Sequence, residues 1–151
     1  VPIDSQSGNN YWLTKDDVEK FTNGVYNKFR AKTCLSGSFF STFDMRAGGI
    51  AGSSAFIGQL ATNNIKTLMA SSSWNSGYVF RNIAVWKEFY DVVQAANILY
   101  EQVDQVPDAN FSVVERRRYK AEAVFMRNMS YFFMVRLYGD VPYYKEAFNQ
   151  K

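Results

Sequence analysis

The chain has 151 residues, with 17 Lys plus Arg against 14 Asp plus Glu, and the resulting net charge of +3 is too small to imply a polyanion partner by itself. Apolar residues make up 47% and charged residues 21%, which excludes a disordered chain, and at this length roughly 70% of the unfolded surface can be buried, enough for a core without staples. Phe, Tyr and Trp together reach 17% and histidine is absent, which excludes His-dependent serine or cysteine hydrolases and most zinc enzymes.

Residues 1 to 13 are polar and carry Pro2 and Gly8, so they read as an extended lead-in. Val1 in place of Met reads as the start of a processed or trimmed product. Thr14 offers a helix N-cap, with Asp16, Asp17 and Glu19 in the first turn where the dipole favours anions. Val18, Phe21, Val25 and Phe29 recur at three- and four-residue steps, predicting a helix over about 15 to 30.

From Thr33 to about Ser76 the composition turns to Gly, Ser, Ala and Asn with scattered phenylalanines, and no period holds for long. An irregular excursion of that length inside a compact domain tends to be functional. A short helix around Gln59 to Ala70 is compatible with it. The lone Cys34 can form neither an internal disulfide nor a cysteine-based metal site.

Val85, Phe89, Val92, Ala96, Leu99 and Val103 follow helical steps, with Trp86, Tyr90, Val93 and Tyr100 as a second stripe. This predicts a long amphipathic helix over roughly 78 to 106. Asn97 falls on the second stripe, so its amide is expected to be buried and to need partners. After a short connection at Pro107, Ser112 and Glu115 form a capping box that starts the next helix, and Gly139 stops it. The second half of that helix is apolar on nearly every side and needs neighbours on several faces. The two long helices are expected to pack as an antiparallel pair. Asp140 to Tyr144 then reads as an extended exit strand or turn. Glu122, Arg127 and Arg136 interrupt the most apolar stretch, so no bilayer span is expected there and the chain should be soluble unless tethered upstream.

Candidate chemistry is sparse. The Gly48, Gly49, Gly52 run lacks both the preceding strand and the Lys-Ser/Thr of a phosphate loop. The carboxylates Glu88 and Asp91, and Glu101 and Asp104, lie three apart on one helix and form a solvated face instead of flanking a cleft. No catalytic residue, cofactor or metal site is expected. Arg116, Arg117, Arg118 and Lys120 form a basic cluster that reads first as a solvated helical turn. Glu122 and Arg127 sit inside the apolar helix and therefore need structural partners, with ligand binding as the alternative. Trp74, with Asn75 and Tyr78, stands where the irregular segment gives way to the long helix. A loop aromatic ring can stack on the apolar face of a sugar while a neighbouring amide bonds its hydroxyls, and the same ring can instead plug the core.

Ala121-Glu122-Ala123-Val124-Phe125-Met126-Arg127, then Tyr131-Phe132, Val135-Arg136 and Tyr138-Gly139-Asp140-Val141-Pro142, closely resembles the signature of the SusD/RagB family. Asn128 departs from the small residue usual after the arginine. Trp86, Tyr90, Val93, Ala96 and Asn97 are similar to the family's preceding helix, and Val1-Pro2, Tyr11-Trp12 and Gly24-Val25-Tyr26 are similar to its mature start. The resemblance covers most of the chain except residues 33 to 73.

The resemblance implies a mainly α fold of tetratricopeptide-like antiparallel helix pairs, here with a long irregular insertion between the first and second long helices. It implies that residues 1–151 form the N-terminal helical domain of a longer chain, although the helices are too long for a legible 34-residue repeat consensus. It further implies a non-catalytic, surface-exposed outer-membrane lipoprotein that captures an oligo- or polysaccharide for a SusC-like TonB-dependent transporter. The lipid-bearing cysteine of the family is absent, and Cys34 lies too far inside to replace it. Trp74, Asn75 and Tyr78 are the expected glycan contacts within this chain, and no family motif reaches them. The competing reading is a helical-repeat module whose groove binds a protein or peptide. No nucleic-acid partner is expected.

Overall fold

The computed structural model describes residues 11–35, 47, 62, 64, 86–107, 109 and 111–148. The chain divides into two compact units, one of residues 1–29 with 87–151 and one of residues 30–86. Among the described residues the structure is helical and contains no strand. The mainly α class expected from the sequence is therefore what these residues show.

Helix α1 spans Lys15–Arg30, and Ala31–Leu35 follows in π-helical geometry. Its start is fixed by reciprocal capping. The Thr14 amide and hydroxyl donate to the Asp17 carboxylate at 2.9 and 2.8 Å, and the Asp17 amide donates to the Thr14 hydroxyl oxygen at 3.3 Å. Two of the orphan donors at the helix start are thereby satisfied, and the carboxylate lies where the dipole favours it. The same hydrogen bonds hold the Asp17 carboxyl below its ordinary pKa. Val18, Thr22 and Val25 form its buried stripe.

Helix α2 spans Lys87–Gln102 and tightens into a 3₁₀ turn over Val103–Gln105. This corrects the expected start near 78: Trp86 lies outside the helix, and residues 78–85 lie outside the described residues. An apolar period defines a face and not an endpoint, and no capping residue type precedes Lys87. Val106 is extended, as the residue before a proline must be.

Helix α3 spans Val113–Tyr138. Its capping box is complete, with the Ser112 hydroxyl accepting from the Glu115 amide and the Glu115 carboxylate accepting from the Ser112 amide at 3.1 Å. Gly139 ends it at φ 77° and ψ −135°, a backbone region costly to any residue with a Cβ. Its amide donates to the Val135 carbonyl at 3.0 Å.

Helices α2 and α3 run antiparallel: Arg116, near the start of α3, bonds the carbonyls of Val103 and Val106 after α2, while Tyr90, near the start of α2, packs on Tyr131 toward the other end of α3. The core lies between these helices and α1, with Val18, Val25, Val92, Leu99, Tyr119 and Met126 among its buried members. Burying one such side chain contributes roughly 1.5–3 kcal/mol. Within the basic cluster Arg117 and Arg118 are exposed, in keeping with a solvated turn, while Arg116 and Lys120 are half-buried. Arg118 pairs with Glu122 at 2.9 Å and Lys120 with Asp104, and Arg116 also lies 5.1 Å from the centre of the Phe111 ring. Helix α3 packs on α1 through Phe133 and Phe29, on α2, and on the segment after Gly139 through Tyr131, and part of its surface stays open. Phe125, Phe132 and Val135 remain more than half exposed, with the Arg136 guanidinium over the Phe132 ring. No helix among the described residues is long and apolar enough to cross a membrane.

Candidate functional site

Once Gly139 has ended α3, the chain runs through residues 140–148 without regular structure along the α2–α3 pair. A segment with no ladder of its own must have its backbone groups satisfied from elsewhere. Six helix side chains do so. The Tyr90 hydroxyl donates to the Pro142 carbonyl at 2.8 Å, and the Tyr144 amide donates to the Tyr131 hydroxyl oxygen at 2.7 Å. The Asn97 amide donates to the carbonyls of Tyr144 at 3.3 Å and Glu146 at 2.9 Å. Arg127 Nη1 donates to the Lys145 carbonyl at 2.9 Å. The Ala147 amide donates to Glu101, and Gln94 grips Phe148 twice, its amide nitrogen donating to the carbonyl at 2.7 Å and its amide oxygen accepting from the backbone N–H at 2.9 Å.

Asn97 is the centre of this arrangement. It is fully buried, and besides its two donations it accepts from Arg127 at 2.9 Å. One side chain thus joins α2, α3 and the exit segment. Arg127 is half-buried and spends its charge on this network. Glu122 is also half-buried; it pairs with Arg118 and lies beside Tyr26, whose phenol pKa rises first through burial and then through that neighbouring carboxylate. Pro142 is exposed and contributes its carbonyl to the Tyr90 bond. Trp74, Asn75 and Tyr78 lie outside the described residues.

The pinned segment carries aromatic rings that the helices cover only in part. Tyr143, Tyr144 and Phe148 are 54%, 45% and 38% exposed. Tyr144 stands edge-on to Tyr90 at 5.9 Å and tilted to Phe148 at 5.4 Å, while Tyr143 packs on Tyr131 at 4.7 Å. Tyr90, Pro142, Tyr144 and Phe148 enclose an open pocket of about 380 Å³. A second hollow of about 470 Å³ is lined by Tyr143 to Phe148, including Lys145 and Glu146. Burial, then the neighbouring Tyr131 and Tyr144, raises the Tyr90 phenol pKa; burial raises that of Tyr131 while the Tyr144 amide donating to its oxygen opposes the rise. With pKa values raised above 10, Tyr90 and Tyr131 stay neutral near pH 7. The arrangement offers rings and neutral hydrogen-bonding groups, which suits binding. Among the described residues no three metal-ligating side chains come together.

The sequence points to Trp74 as an aromatic contact and reads Asp140 to Tyr144 as an extended exit strand or turn, and the exposed rings of Tyr143 and Tyr144 are an addition to that expectation. The available signal was a run of aromatics just past a helix-stopping glycine, where no periodic face can bury them.

The family model described as starch-binding associating with outer membrane, a SusD-like family, matches residues 4–150. A SusD-like protein of Formosa agariphila is 36% identical over 63 residues, which cover 40% of this chain and 11% of that relative. No solved structure matches the chain at a significant level. With a match that runs over nearly the whole sequence, the chain belongs to the SusD-like family.

Proposed function

We propose that this chain is part of a non-catalytic nutrient-binding component that captures an oligo- or polysaccharide at the outer membrane and passes it to a SusC-like TonB-dependent transporter. The observation behind this reading is the match of residues 4–150 to a family described as starch-binding and associated with the outer membrane. In this reading residues 1–151 are the N-terminal helical portion of a longer, lipid-anchored and surface-exposed protein. The matched stretch is 40% of this chain but only 11% of the relative, which supports the longer-chain part of this reading. The α2–α3 pair serves as scaffold, and rings with short polar side chains hold the sugar by stacking and hydrogen bonding. Trp74, Asn75 and Tyr78 remain proposed glycan contacts.

The exposed Phe125, Phe132 and Val135 on α3 favour a second reading, a helical module whose apolar face takes a protein partner. The two separate in one experiment on the full-length protein: probing a glycan array and analysing what co-purifies from outer membranes. Glycan retention together with a TonB-dependent transporter is expected. A protein partner with no carbohydrate retained on any array spot favours the interaction module and overturns glycan capture.

A further inference from the structure

We propose that the open pocket walled by Tyr90, Tyr144 and Phe148 is a stacking subsite for a neutral pyranosyl unit of the captured glycan. The proposal rests on the glycan-capture reading above and gives it a contact site away from Trp74.

A pyranose has an apolar C–H face and a rim of hydroxyls, so its site needs ring faces beside neutral donors and acceptors. The pocket has that composition. Its walls, among the described residues, are three aromatic rings and Pro142, none of them charged. The hollow next to it on the same segment contains Lys145 and Glu146, so the neutrality belongs to this pocket and not to the whole surface. An anionic sugar or a charged peptide would find no counter-charge among these four residues. At about 380 Å³ the pocket falls within the ~300–1,000 Å³ range of small-ligand sites.

The rings are set at angles to each other, 73° between Tyr90 and Tyr144 and 53° between Tyr144 and Phe148. They form a corner and leave ring faces that a sugar can cover. Tyr144 and Phe148 are 45% and 38% exposed although their backbones are fastened to the helices. Gln94 holds both backbone polar groups of Phe148, and Asn97 and Tyr131 hold the carbonyl and amide of Tyr144. Little ordering of the segment is then left to oppose binding. At the pocket edge, the Tyr90 hydroxyl donates its proton to the Pro142 carbonyl and retains lone pairs for a sugar hydroxyl.

The test is calorimetric titration of the full-length protein with maltoheptaose. Tyr144→Ala and Phe148→Leu should each weaken binding about five- to tenfold, the range a lost ring contact implies. Phe148→Leu keeps apolar bulk without the ring, so it decides the matter if Tyr144→Ala melts early. Val114→Ala, an exposed position at the opposite end of α3 from the exit segment, should bind as wild type does. Wild-type binding that both pocket variants retain at full strength overturns the subsite and leaves glycan capture standing. No heat of binding from the wild type overturns the subsite together with the capture of starch-type glycan on which it rests.

Discussion

Replacing Asn97 with Ala removes the side chain that joins both long helices to the exit segment. Three hydrogen bonds are lost: donations to the Tyr144 and Glu146 carbonyls and acceptance from Arg127. Neutral bonds contribute about 0.5–1.5 kcal/mol each and one from a charged group about 1.5–3 kcal/mol. Tyr144 and Glu146 are exposed, so water can take over their carbonyls, and Arg127 keeps its bond to Lys145. The full sum is therefore not lost, and Asn97→Ala should cost about 2–4 kcal/mol, a fall in Tm of roughly 6–12 °C for a domain of this size. Urea unfolding followed by circular dichroism measures the global loss. Hydrogen exchange locates it: the amides of Tyr144, Ala147 and Phe148 should exchange about tenfold faster or more, because local opening of the segment becomes easier. A loss below about 0.5 kcal/mol, with those three amides protected as in wild type, would refute the role given to Asn97.

Ser112→Ala should cost about 1 kcal/mol in urea unfolding, since it removes the hydroxyl half of the α3 capping box. Gly139→Ala should cost about 1–3 kcal/mol through backbone strain alone, because an added Cβ meets no atom within 4 Å; an unchanged Tm would remove the strain explanation. Hydrogen bonds from Lys15 and then Ser112 lower the Glu115 carboxyl from 4.5 to about 2. The stability it lends is present above pH 4.5 and lost as pH falls toward 2, so Tm should decline across that window, more shallowly in Glu115→Gln. Burial, then Glu88, pushes the Tyr138 phenol from 10 up to about 12. The unfolded chain then ionises first, stability falls between pH 10 and 12, and a tyrosinate absorbance titration should lose its latest-titrating phenol in Tyr138→Phe.

Elements with chemical punctuation were legible in the sequence. Thr14 with Asp17 starts α1, and Ser112 with Glu115 starts α3 as Gly139 stops it, because caps satisfy specific orphan backbone groups at fixed spacing. Helix α2 carries an equally clear apolar stripe but no such mark before Lys87, and its start was the boundary misplaced. Asn97 could be placed on an apolar stripe. Its partners could not be named, since Tyr144 and Glu146 lie 47 and 49 residues away in a segment without period. The aromatic pocket was illegible for the same reason: Tyr90 belongs to a helical stripe, Tyr144 and Phe148 to an aperiodic tail, and only the fold brings them together. The signature that carries the family resemblance ends at Pro142, so the family is legible in the sequence while the geometry of the segment beyond Pro142 is not.

Affinity electrophoresis of the full-length protein through gels cast with soluble starch tests glycan capture most directly. Migration retarded by starch, relative to a plain gel and a non-binding control, is the expected result. Equal mobility in both gels, while a TonB-dependent transporter still co-purifies, would contradict capture of a starch-type glycan.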